Sequence, residues 1–243
     1  MKKTRFLAIA AFLAFLTACT KEYSYEGGPL TRCIDCSYLP LCDSTSFSYL
    51  DSSSTEDTLR GIVRIGNDTV INGGSYHTVT GFAPFPGGLQ YSCVNGDYRT
   101  VFPLSSLGLD LESMVNDALA DLQLPIPGSM VPIPQYITTS FLKTGQPVSG
   151  TWTDTAYHLG SAIFMAYAGL DYKIMQKGIQ HTVQQKTYND VIWVRCKPDV
   201  RISLAPVTLP DIDLDYYFAA GTGIIEMRLT IDGVRERSLQ LLP

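Results

Sequence analysis

Apolar and polar residues alternate along much of this chain with a period of two. Leu214, Tyr216, Phe218 and Ala220 alternate with Asp213, Asp215 and Tyr217, and Ile225, Met227, Leu229 and Ile231 with Glu226, Arg228, Thr230 and Asp232. Successive side chains of a strand point to opposite faces, so each run predicts a half-buried antiparallel strand with its charged residues on the wet side. Residues 188–196 read the same way: Ile192, Val194 and Cys196 share one face, and Val191, Trp193 and Arg195 the other. Further strands are expected over 137–143 and 151–157, either side of Gly145-Gln146-Pro147, and over 162–168 and 170–179, either side of Gly169. The clearest hairpin spans 90–102, because Asn95-Gly96 supplies the two positive φ angles of a type I′ turn. At Asp232-Gly233 a two-residue loop would set Leu229 opposite Glu236, which favours a longer loop or a bulge.

One stretch breaks the alternation. Leu111, Met114, Val115, Ala118, Leu119 and Leu122 recur at helical spacing and make one apolar stripe. Asp110 suits the N-cap and Pro125 ends the run, which predicts a helix over 110–124 and a Pro-rich connector over 125–134. A lone amphipathic helix must bury its stripe against a sheet. The fold class expected is therefore mainly β with one internal helix, as a single domain over 33–243. Thr69-Val70 with Tyr76-x-x-Val79 is echoed by Thr182-Val183 with Tyr188-x-x-Val191, which suggests two related halves, 43–102 and 135–243. A groove between sheet and helix would be lined by Met114, Ala118, Leu122, Ile126, Met130 and Ile133, and Met-rich linings re-pack around different ligands. The same residues would equally serve as filled core.

The N-terminus follows another logic. Lys2, Lys3 and Arg5 precede an apolar run from Phe6 to Ala18, too short to cross a bilayer as a helix and built like a secretory signal. Leu16-Thr17-Ala18-Cys19 resembles the lipobox of bacterial lipoproteins. That resemblance implies a signal peptide over 1–18, cleavage before Cys19, diacylation of that cysteine and a lipidated tether over 19–32. Removing Lys2, Lys3 and Arg5 from the 18 Lys+Arg leaves 15 against 23 Asp+Glu, a net charge of −8. Nucleic acid is excluded as a partner, since it needs clustered cations. Membrane contact is expected through acyl chains, each buried methylene contributing roughly 0.8 kcal/mol. Charged residues are 17% of the chain, against about 25% on average, so uncharged polar side chains and some of the 14 tyrosines must cover much of the surface.

Five cysteines remain after lipidation: Cys33, Cys36, Cys42, Cys93 and Cys196. In an oxidising compartment they are disulfide candidates, with one left over. A redox Cys33-x-x-Cys36 and a zinc site from Cys33, Cys36, Cys42 and Cys93 are the competing readings. Asp211-x-Asp213-x-Asp215 lacks the turn glycine and closing acid of a calcium loop, and Gly221-Thr222-Gly223 sits between strands and lacks the third glycine of a dinucleotide loop. No metal, cofactor or catalytic residue is assigned, and no enzymatic activity is expected.

The lipobox, Cys36-x-Tyr38-x-Pro40-x-Cys42, residues 188–192 and residues 217–226 together resemble a group of uncharacterised envelope lipoproteins of bacteria with two membranes. The last phrase is similar to the lipoprotein-carrier fold (LolA/LolB-like). The resemblance implies a curved antiparallel half-barrel packed on the helix, held at the outer membrane, periplasmic or surface-facing. The groove between sheet and helix sets the functional expectation: a non-catalytic protein that binds a hydrophobic or amphipathic small molecule or an envelope partner protein. A disulfide-stapled structural component of an envelope assembly and a hydrolase acting on polysaccharide or peptide are the alternatives.

Overall fold

Alternating stretches and positive-φ turns build antiparallel sheets. A computed structural model describes residues 32–52, 57–85, 88–103, 136–160, 165–202 and 210–243, and among them every regular element is a strand or an isolated turn. Cys19, the helix expected over 110–124, the connector over 125–134 and the groove candidates Met114, Ala118, Leu122, Ile126, Met130 and Ile133 lie outside the described residues.

The strands are β1 (Cys33–Ile34), β2 (Leu41–Cys42), β3 (Ser46–Asp51), β4 (Thr58–Ile62), β5 (Arg64–Ile71), β6 (Gly74–Thr80), β7 (Leu89–Val94), β8 (Asp97–Pro103), β9 (Tyr136–Lys143), β10 (Thr151–Gly160), β11 (Met165–Val183), β12 (Lys186–Ile202), β13 (Ile212–Ala219), β14 (Gly223–Ile231) and β15 (Val234–Leu241). They form an eight-stranded sheet in the order β10-β11-β12-β13-β14-β15-β3-β4, a five-stranded sheet β5-β6-β7-β8-β9, and the small hairpin β1-β2. The sheets do not divide at the connector. β3 and β4 join the later strands, and β9 joins the earlier ones.

The helix on which the expected half-barrel would pack lies outside the described residues. Among those described the core lies between two sheets, whose inner faces are apolar and aromatic. A bulge opposite Tyr98–Arg99 leaves Phe141 unpaired in β9. Its ring packs on Tyr91 and Tyr98 of its own sheet and stacks on Phe218 of the other at 5.7 Å.

Among the described residues four two-residue hairpins have positive φ at both central residues: Asn72-Gly73, Asn95-Gly96, Gln184-Gln185 and Asp232-Gly233. The two halves of the sequence echo straddle two of them. At Asp232-Gly233 the loop is tight, Ile231 facing Val234, and a bulge between Leu229 and Thr230 then sets Leu229 opposite Arg237. Gly169 is not a turn. It lies inside β11, where a Cβ would come within 2.3 Å of the Tyr167 hydroxyl, so the ring covers the bare backbone.

The chain changes sheets within one residue, Val63, fully buried and hydrogen-bonded through its amide to Thr45 O and its carbonyl to Ser44 N. Here two backbones touch: a Cβ on Gly61 would stand 2.1 Å from Gly81 O. Gly61→Ala should therefore destabilise the protein by about 2 kcal/mol, the usual scale of overpacking. Gly145→Ala, with nothing within 4 Å of the new methyl group, should be close to neutral. Urea unfolding of the two variants checks the contrast.

Candidate functional site

Residues 32–45 lock both sheets together. Disulfides join Cys33 to Cys42 across the β1–β2 pair and Cys36 to Cys93 on β7. Leu39 and Leu41 enter the core with no more than 1% exposure. Tyr91 donates its hydroxyl to Leu39 O, and the Tyr38 amide donates to the Tyr98 hydroxyl. On the other sheet the Gly221 amide donates to Ser37 O at 2.6 Å, and the Tyr38 hydroxyl donates to Asp190 Oδ1 at 3.0 Å. Burial, reinforced by Asp190, pushes the Tyr38 phenol up to about 12. Beside the Cys36–Cys93 bridge is an open depression of about 370 Å3 lined by Asp35, Ser37, Tyr98, Asn95 and Thr144 among others.

These pairings bear on the cysteine readings. Cys33 and Cys36 are not joined to each other, and all four sulfurs considered for zinc are in disulfides. Cys196, the fifth disulfide candidate, is a free thiol. It points inward from β12 between Tyr172 of β11 and Leu214 of β13, and burial pushes its pKa up to about 12.

The principal polar site lies on the outer face of the larger sheet. Glu226 and Arg228, two apart on β14, share that face with Tyr217 of β13 and Gln240 of β15. The tip of the β11–β12 hairpin supplies the remaining contacts. Irregularities between Ile174 and His181, with Gly178 at φ +66°, bend the longest strand. His181 then stacks on Tyr217 at 4.2 Å between ring centres, and Gln184 donates to Gln240.

Glu226 is therefore not on a wetted face: it is 1% exposed. It meets His181 Nε2 at 2.7 Å and accepts from Arg228 Nη2 at 2.6 Å and from Gln240 Nε2 at 2.9 Å. Burial alone would raise its pKa. The hydrogen bonds from His181, Arg228 and Gln240, with the Arg228 charge, overcome that and bring it down to about 2. The Arg228 guanidinium lies over the Tyr217 ring at 4.8 Å. The Glu226/Arg228 spacing is visible in sequence, but His181 is 45 residues away and arrives only through the bent hairpin.

Alongside, the acidic triplet pairs with two cations on β12. Arg195 pairs with Asp213 at 2.9 Å and Asp215 at 2.8 Å, while Lys197 pairs with Asp211 at 2.8 Å and Asp213 at 2.9 Å. Trp193 Nε1 donates to Asp215, which is 5% exposed. The triplet is a cross-strand ion-pair ladder in this fold.

What these features define is a β protein stapled by disulfides, with a closed network of side chains on one sheet face. No family model matches the chain, and no curated protein matches it. Two solved structures resemble it over most of its length. One is a candidate lipoprotein from Parabacteroides distasonis, 12% identical, covering 86% of this chain and 98% of that chain with a TM-score of 0.43. The other is a candidate exported protein with a YmcC-like fold from Bacteroides fragilis, 8% identical, covering 85% and 98% with a TM-score of 0.39.

Proposed function

We propose that this chain is a lipid-anchored, non-catalytic protein of the cell envelope whose β body binds an amphipathic ligand or a partner protein. The observation that carries the reading is the double staple at the start of the described residues. Cys33–Cys42 and Cys36–Cys93 belong to an oxidising compartment, and they fasten to the core the segment that leads away from Cys19. A domain held by acyl chains at the end of a short tether needs its attachment point fixed to the core, and this one is fixed covalently to β7. Glu226, 1% exposed and hydrogen-bonded to His181, Arg228 and Gln240, holds the hairpin tip of β11 and β12 to the sheet.

The test is the intact mass of the native protein from the membrane fraction of a bacterium with two membranes. Two disulfides and an acylated Cys19 as first residue are expected, and Cys19→Ala should leave the chain unprocessed and unacylated. A soluble full-length chain with Met1 retained and an unmodified Cys19 would overturn the proposal.

A further inference from the structure

The rim where the larger sheet hands the chain to the smaller one carries an open groove of about 730 Å3. Phe47, Gly61 and Thr80 line it together with Arg60, Ile62 and Arg64. Arg60 and Arg64 are exposed, and Ile62 between them is 57% exposed, one of the most exposed large apolar side chains among the described residues. Neither guanidinium meets a carboxylate among the described residues. Arg32 adjoins the same rim, its Nη1 donating to Gly66 O at 2.8 Å, two residues beyond Arg64. Asp43 also touches this rim, its Oδ1 accepting from the Ile65 amide at 2.5 Å. Arg32, Arg60 and Arg64 gather here in a chain whose net charge is −5.

Arg32 is the thirteenth residue after Cys19, so on the acyl-anchor reading it stands at most about 45 Å along the chain from the lipid. Near an anionic leaflet each arginine favours the bound state about five-fold. That is weak for a free protein, but the tether makes the encounter intramolecular, at an effective concentration on the order of millimolar. The acidic remainder of the surface is repelled by the same leaflet, which selects the orientation.

We propose that this rim is the face that lies on an anionic membrane leaflet, with Arg60 and Arg64 at the phosphates and Ile62 at the headgroup boundary. The inference rests on the acyl-anchor reading. It is tested by hydrogen exchange of the native protein in vesicles of phosphatidylcholine alone and of phosphatidylcholine with one-quarter phosphatidylglycerol. In the anionic vesicles amides of 58–64 should exchange at least five-fold more slowly, and the difference should vanish in Arg60→Gln/Arg64→Gln and in 0.5 M salt. Equal exchange in the two vesicles, or slowing that survives the double substitution, sinks the proposal. The mass at Cys19 in the same sample reports the anchor independently. If that residue proves unacylated, the same exchange comparison on protein coupled through Cys19 to a maleimide lipid tests the rim alone. Slowing at 58–64 on the anionic vesicles, lost in the double variant, upholds it, and equal exchange overturns it.

Discussion

Replacing Cys36 and Cys93 together by alanine should lower the unfolding free energy by about 4 kcal/mol, because the bridge closes a loop of 57 residues in the unfolded chain. For a protein of this size that corresponds to a fall in Tm of about 10 °C. The same change at Cys33 and Cys42, 9 residues apart and already paired across β1 and β2, should cost less, about 3 kcal/mol at most. Alanine is preferred to serine because Cys36 is buried and a hydroxyl there would need a partner. Urea unfolding of the two double variants under oxidising conditions distinguishes them. Equal losses would mean that the Cys36–Cys93 bridge does not restrain the unfolded chain in proportion to its length.

Glu226→Ala should cost about 3–5 kcal/mol, since it leaves Arg228 half-buried beneath the hairpin tip without its carboxylate. Acid should reproduce part of that loss. The folded pKa of Glu226 is about 2, below the roughly 4.3 of an unfolded glutamate, so its contribution is complete above about pH 5 and disappears as the pH falls through 2. The amount at stake is on the order of 3 kcal/mol. Glu226→Gln removes the titrating group, so between pH 5 and pH 2 it should lose less stability than the wild type. Parallel loss in the two proteins would show that other acids carry the acid sensitivity. Asp211, also held low by Lys197, lies in the open and is screened by solvent.

How legible this molecule is in its sequence depends on the range of the interaction. The alternation at 213–218 places Leu214, Tyr216 and Phe218 inward as expected, and Asn95-Gly96 turns where its residues say it should. Gln184-Gln185 makes an equally tight turn with no glycine or asparagine to announce it. Its conformation is imposed by the long strands on either side. The Gly169 reading failed for a related reason: a glycine inside a strand can serve a neighbouring ring as well as a turn. Glu226 was placed on a wetted face because alternation gives a side chain's direction without saying what will cover it.

What a few neighbouring residues decide is therefore legible along the chain: the alternating antiparallel strands, the Asn95-Gly96 turn and the oxidisable cysteine cluster. Which sulfurs meet, which sheet β9 joins, and that the β11–β12 tip folds down to bury Glu226 against Arg228 and His181 are settled by contacts between distant residues. Those outcomes depend on bulges that re-aim strands by one residue at a time, and on free-energy differences summed over contacts distant in the chain. No local pattern records them.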